Sequence, residues 1–142
     1  MKKLLLILLC LPMVFISCSK QEGCTDPIAT NYSSEAEDDD GSCIFGIVGF
    51  WNVDSISYQT ATQNTTIISD IALEFISGGI LREYTDDGLN INEWIIIGDS
   101  LHIGEDSEDF ICDFNITRTN LTLVGNIILD EPTIMTVNAT RN

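Results

Sequence analysis

Phe110-Ile111-Cys112-Asp113-Phe114-Asn115-Ile116-Thr117 alternates Phe110, Cys112, Phe114 and Ile116 with residues that include Asp113, Asn115 and Thr117. A repeat of two places the first set on one face of an extended strand, and that face is expected to point inward. Outward from this stretch, the residues from Ile47 onward are rich in β-branched and aromatic types, with proline only at Pro132. Ser77-Gly78-Gly79, Asp87-Gly88, Gly98-Asp99 and Arg118-Thr119-Asn120 separate apolar runs at hairpin distances. The spacing predicts an all-β antiparallel meander of about seven or eight strands. Closure removes exposed strand edges, so a small up-and-down barrel over 47–142 is expected, with a two-sheet sandwich as the alternative. The expected inward side chains are Phe75, Leu81, Trp94, Ile96, Leu101, Ile103, Phe110, Phe114, Leu121, Leu123 and Ile134. They are large, which fits a filled core or a shallow pocket, and Trp94, Phe110 and Phe114 are the candidates to face a ligand.

The other end of the chain carries an address. Met1-Lys2-Lys3 is a positive start, and Leu4 to Ile16 is an apolar run broken by Pro12, too short to span a bilayer but suited to a signal helix. Phe15-Ile16-Ser17-Cys18 resembles a bacterial lipobox, in which the cysteine becomes the first mature residue and takes a diacylglycerol. An ordinary secretory signal cut near Ser17, leaving Cys18 as a free thiol, is the other reading. Lipidation implies segment 1–17 as signal peptide, 18–22 as tether, and a membrane partner reached through acyl chains such as palmitate. Each buried methylene contributes about 0.8 kcal/mol. Ser19-Lys20-Gln21-Glu22 is also similar to surface-export signals of some Gram-negative lipoproteins, so an outer-membrane address in the cell envelope is expected, with the side undetermined.

The chain has 22 acidic and 6 basic residues, and Lys2 and Lys3 would leave with the signal, so the mature chain carries 18 net negative charges. Such a surface repels phosphate backbones, which excludes nucleic acid as a natural partner. Removing seventeen residues leaves 125, room for one modest core.

Cys24-Thr25-Asp26-Pro27, Ala29, Asn31-Tyr32, Ala36 and Asp39-Asp40-Gly41-Ser42-Cys43 resemble a short module that recurs in secreted and surface proteins of Gram-negative bacteria. It occupies 23–44. Cys24 and Cys43 are the mature cysteines left outside the lipid site and the β domain, so a disulfide between them is expected in an oxidising compartment. Asp26, Asn31, Asp38, Asp39 and Asp40 offer oxygen ligands for calcium, although their spacing is not that of an EF-hand loop and a charge run also serves as a solvated face.

Ile47-Val48-Gly49-Phe50-Trp51, Leu73-Glu74-Phe75, Glu93-Trp94, Leu101-His102-Ile103 and Leu121-Thr122-Leu123 resemble the lipocalin-like domains of bacterial lipoproteins. The resemblance implies a barrel whose end is closed by Trp51, with Arg141 packed on the indole as its structural partner. It also implies binding of a small apolar ligand.

No Gly-x-Ser-x-Gly elbow, His-Glu-x-x-His pair, P-loop or dinucleotide turn occurs, so no enzymatic activity and no cofactor are expected. His102 is expected on the solvent face, Glu105 and Asp109 in a solvated hairpin tip, and Cys112 as a buried, inert thiol. Two functions follow: a non-enzymatic envelope lipoprotein that binds a small apolar ligand or a partner protein, or a structural surface subunit with a solid barrel.

Overall fold

The computed structural model describes residues 20–104 and 110–142. The expected signal segment 1–17, the expected acylation point Cys18 and the acidic segment 105–109 lie outside the described residues. No helix occurs among the described residues, and none of them forms a helix able to cross a membrane.

Two short strands, β1 (Glu22–Gly23) and β2 (Asp38–Asp39), pair in parallel inside the cysteine module. The domain that follows contains β3 (Gly49–Gln59), β4 (Asn64–Ile68), β5 (Ala72–Ile76), β6 (Ile80–Thr85), β7 (Gly88–Ile97), β8 (Ser100–Ile103), β9 (Phe110–Ile116), β10 (Asn120–Ile128) and β11 (Pro132–Arg141). Strands β5 to β11 pair in chain order, β3 pairs with β5 through its first half, and β11 returns to β3. The result is a closed antiparallel barrel of eight strands, β3 and β5–β11. The turns read from the sequence all connect neighbours; the two-residue Gly98-Asp99 loop has Gly98 at φ 62°, the conformation a tight hairpin demands at its first central position. Strand β4 lies outside the closure, paired only with the second half of β3.

One irregularity decides which side chains fill the barrel. Opposite β11, Ala139 faces Val53 but Asn138 faces Ser55, so Asp54 is an extra residue on β3. Strict alternation from Trp51 would turn Ser55 and Ser57 inward; the bulge resets the phase and turns Ile56 and Tyr58 inward instead.

The core comprises Trp51, Phe75, Leu101, Leu121 and Leu123, all essentially buried, with Cys112 among them and Phe110, Phe114 and Ile116 packed against it. Each such burial contributes about 1.5–3 kcal/mol. Two expected inward residues behave otherwise. On β11 the buried positions are Thr133, Val137 and Ala139, so Ile134 belongs to the opposite face and is 42% exposed. Ile96 has the inward phase, paired with buried Leu101, but stands at the barrel end and remains 41% exposed.

Disulfide Cys24–Cys43 closes the module, and an ion pair ties it to the β9–β10 turn at one end of the barrel. Asp26 pairs with Arg118 of that turn at 2.6 Å, and the connecting Ile47 is buried.

Candidate functional site

Strand direction gives the barrel two different ends. The end that receives Trp51, Phe75, Leu101 and Leu121 is packed, whereas the end reached by the second half of β3, the end of β6 and the start of β9 is hollow. A cavity of about 320 Å³, open to solvent, occupies the hollow half. That volume is at the lower end of the ~300–1,000 Å³ typical of small-molecule sites. Its wall is mainly apolar: Val53, Ile56, Leu73, Leu81, Ile103, Phe110, Leu123, Met135 and Val137 contribute, with Tyr58, Glu83 and Asn92 as polar members.

Local sequence explains these placements. On β6 the repeat of two that sends Leu81 inward sends Glu83 inward as well, and Leu81 faces Asn92 across the β6–β7 ladder. Glu83 accepts a hydrogen bond from Asn90 Nδ2 at 3.4 Å. Phe110 lies across β10 because Gly125 has no side chain: a Cβ there would meet the ring at 2.5 Å.

Of the residues singled out in the sequence as ligand-facing, Phe110 lines this cavity. Trp94 does not: its ring packs edge-on against Phe75 at 5.7 Å, and its Nε1 donates to the carbonyls of Ile76 and Ile80 at 3.2 and 3.0 Å. Phe114 packs against the buried core rather than the cavity.

The closed end holds Trp51 and Arg141. Trp51 is fully buried and donates its indole N–H to the Ile47 carbonyl at 2.8 Å. The Arg141 guanidinium lies 4.2 Å from the ring centroid and donates to the carbonyls of Gly46 and Val48 at 2.8 and 3.2 Å. Burial pulls the Arg141 pKa below its ordinary value, opposed by the Asp26 charge. Gly49, at φ 141°, makes room for it: a Cβ would come within 3.0 Å of Nη1.

The five oxygen-bearing residues of the module already have partners. Asp26 accepts from the Ile28 N–H and pairs with Arg118; Asp38 pairs with Lys20 at 3.0 Å. Asp39 and Asp40 accept from the N–H groups of Gly41 and Ser42. The Ser42 contacts lower the Asp40 pKa. Asn31 bridges the Ser42 carbonyl and the Ile44 N–H. The bonds onto Asp26, Asp39 and Asp40 from N–H groups two residues on are turn-forming. Among the described residues, no three His, Cys, Asp or Glu side chains gather in a metal-ligand geometry.

His102, between Ile95 and Ile111 in register, belongs to the outer wall. Cys112 is buried and unpaired, and burial together with the Asp113 charge pushes its thiol up to about 11.

Reading the sequence missed Val53, Ile56, Tyr58, Ile71, Leu73, Glu83, Asn92, Met135 and Val137 as cavity residues. The signal for Glu83 was present in the Leu81-x-Glu83 alternation; Ile56 and Tyr58 were hidden by the bulge at Asp54. Comparison of the chain with protein-family models, curated proteins and solved structures finds no match.

Proposed function

We propose that this chain is a non-enzymatic lipoprotein of the bacterial cell envelope, held on the outer membrane by acyl groups on Cys18, whose lipocalin-like barrel carries a small apolar ligand. One observation carries the reading: the hollow half of the barrel offers a solvent-open, mainly apolar cavity of about 320 Å³. A chain that leaves such a wall wet forgoes the burial that Met135, Ile56 and Phe110 would otherwise gain, and a ligand recovers it. The signal architecture and the lipobox-like Ile16-Ser17-Cys18 support the anchor, and the Cys24–Cys43 disulfide fits an oxidising compartment.

Native mass spectrometry of the protein extracted from the envelope tests both parts. The expected species starts at an acylated Cys18 and carries a small apolar adduct that Leu123→Trp, which fills the cavity, no longer retains. An unacylated chain overturns the anchor, and an adduct retained equally by Leu123→Trp overturns the cavity as its site.

A second reading, in which a partner protein covers the outer wall, is supported by Ile91, Ile95, Ile97 and Ile111, each more than half exposed. Cross-linking in intact envelopes that captures one defined partner through this wall, with no ligand in the barrel, would favour it.

A further inference from the structure

We infer that the ligand of the barrel is a cationic amphiphile, an apolar body bearing an amine or a related positive group, with Glu83 as the residue that recognises the charge. This inference rests on the reading of the cavity as a ligand site. Glu83 stands in the wall of an otherwise mainly apolar cavity, to which Asn92 and Tyr58 also contribute polar side chains. Its described polar contact is the 3.4 Å bond from Asn90, a neutral donor.

The described cations are engaged elsewhere. Among the described residues there are four basic side chains: Lys20 pairs with Asp38, Arg82 with Glu74, Arg118 with Asp26, and Arg141 lies over Trp51. Arg82 is next to Glu83 in sequence, yet the strand alternation turns it to the outer wall, where it pairs with Glu74. Arg118 and Arg141 are at the closed end. Around the open end stand the exposed carboxylates of Asp86 and Asp87 in the β6–β7 turn and Asp130 and Glu131 in the β10–β11 turn. An anionic ligand meets this rim and then Glu83 with no cation inside to compensate. A cationic one is attracted by the rim and meets a carboxylate in a partly desolvated wall, where an ion pair is stronger than in bulk water. Asn92 and Tyr58 add neutral hydrogen-bonding groups that orient the head.

The test titrates the full chain, held in phosphatidylcholine nanodiscs, with decylammonium, decanol and decanoate by calorimetry, subtracting protein-free nanodiscs. Decylammonium is expected to bind roughly tenfold tighter than decanol, with decanoate weakest, since a partly screened pair at contact distance accounts for about one decade. In Glu83→Gln the three affinities are expected to converge to within about threefold, with the unfolding midpoint of the barrel unchanged. Because a variant can misfold, the same preference is also measured in the unsubstituted chain at rising salt, where it is expected to shrink. Equal or better binding of decanol or decanoate overturns the charge assignment while the apolar cup stands. A preference that persists in folded Glu83→Gln removes Glu83 from the role. Failure of all three probes to bind overturns the cup itself.

Discussion

The guanidinium of Arg141, the penultimate residue of the chain, lies 4.2 Å above the ring of Trp51, near the start of the barrel, and the two lock the first and last barrel strands together. The contact adds a cation–π attraction of about 0.5–2 kcal/mol to two charge-assisted bonds onto the Gly46 and Val48 carbonyls.

Arg141→Ala is therefore expected to lower barrel stability by about 2–4 kcal/mol in urea unfolding followed by Trp fluorescence, because the indole loses its cover and two carbonyls lose a donor. Arg141→Lys keeps the charge without the planar fork and is expected to recover less than half of the loss. A change below about 0.5 kcal/mol in Arg141→Ala would show that the pair does not hold the strands.

At Gly125 the substitution to Ala places a methyl group where the Phe110 ring lies. The ring must move toward the cavity or the strands must separate, at a cost of about 1–3 kcal/mol. Retained stability together with unaltered ring signals in nuclear magnetic resonance spectra would contradict this packing.

Opening the Cys24–Cys43 loop by Cys24→Ser with Cys43→Ser removes a crosslink spanning 19 residues. Closure of such a loop stabilises by about 3 kcal/mol in the chain-entropy model. Loss is expected in the module, read as faster amide exchange at Thr30 and Ser33, while the far-ultraviolet circular dichroism of the barrel stays β-type. Collapse of the β spectrum would show that the barrel depends on the module for its fold.

Cys112, with its thiol pushed up to about 11 and its side chain buried, is expected to resist a maleimide at pH 7 in the folded protein and to react fully in denaturant. Prompt labelling under native conditions would place it outside the core.

On the outer wall, Glu74 accepts from Tyr84 Oη at 2.8 Å and from Arg82 at 3.2 Å, and these bonds, Tyr84 first, hold its carboxyl below the usual range. A depressed folded pKa gives stability that is present above the ordinary carboxylate value of 4.5 and is lost as pH falls below it. Glu74→Gln is expected to unfold at a lower temperature than the unsubstituted chain at pH 7, and the gap is expected to narrow below about pH 4. A gap that does not change with pH would assign the contact to packing rather than to charge.

Much of the barrel was legible in the chain. Alternation over 110–117 and glycine-bearing turns at hairpin spacing are local signals, since a strand exposes its two faces to different surroundings residue by residue. Where the local rule met a non-local constraint, the reading failed. Ile134 looks like a core residue by composition, but the β10–β11 register gives the inward phase to Thr133 and Met135. The bulge at Asp54 exists because β3 must pair with β11 on one side and with both β5 and β4 on the other, and no stretch of β3 alone announces it.

The sequence by itself determined the acidic balance, the cysteine pairing and the antiparallel, hairpin-by-hairpin order of the strands, because each rests on composition or on spacing along one segment; the extra strand β4, outside the closure, was not among the seven or eight it led us to expect. Whether the barrel is solid or hollow was decided only by tertiary structure. A cavity is the volume left when eight strands close at a fixed register, and its wall combines Val53, Glu83, Phe110 and Met135 from four of them. No periodicity within one strand encodes that volume, so the feature on which the proposed function rests emerges only at closure.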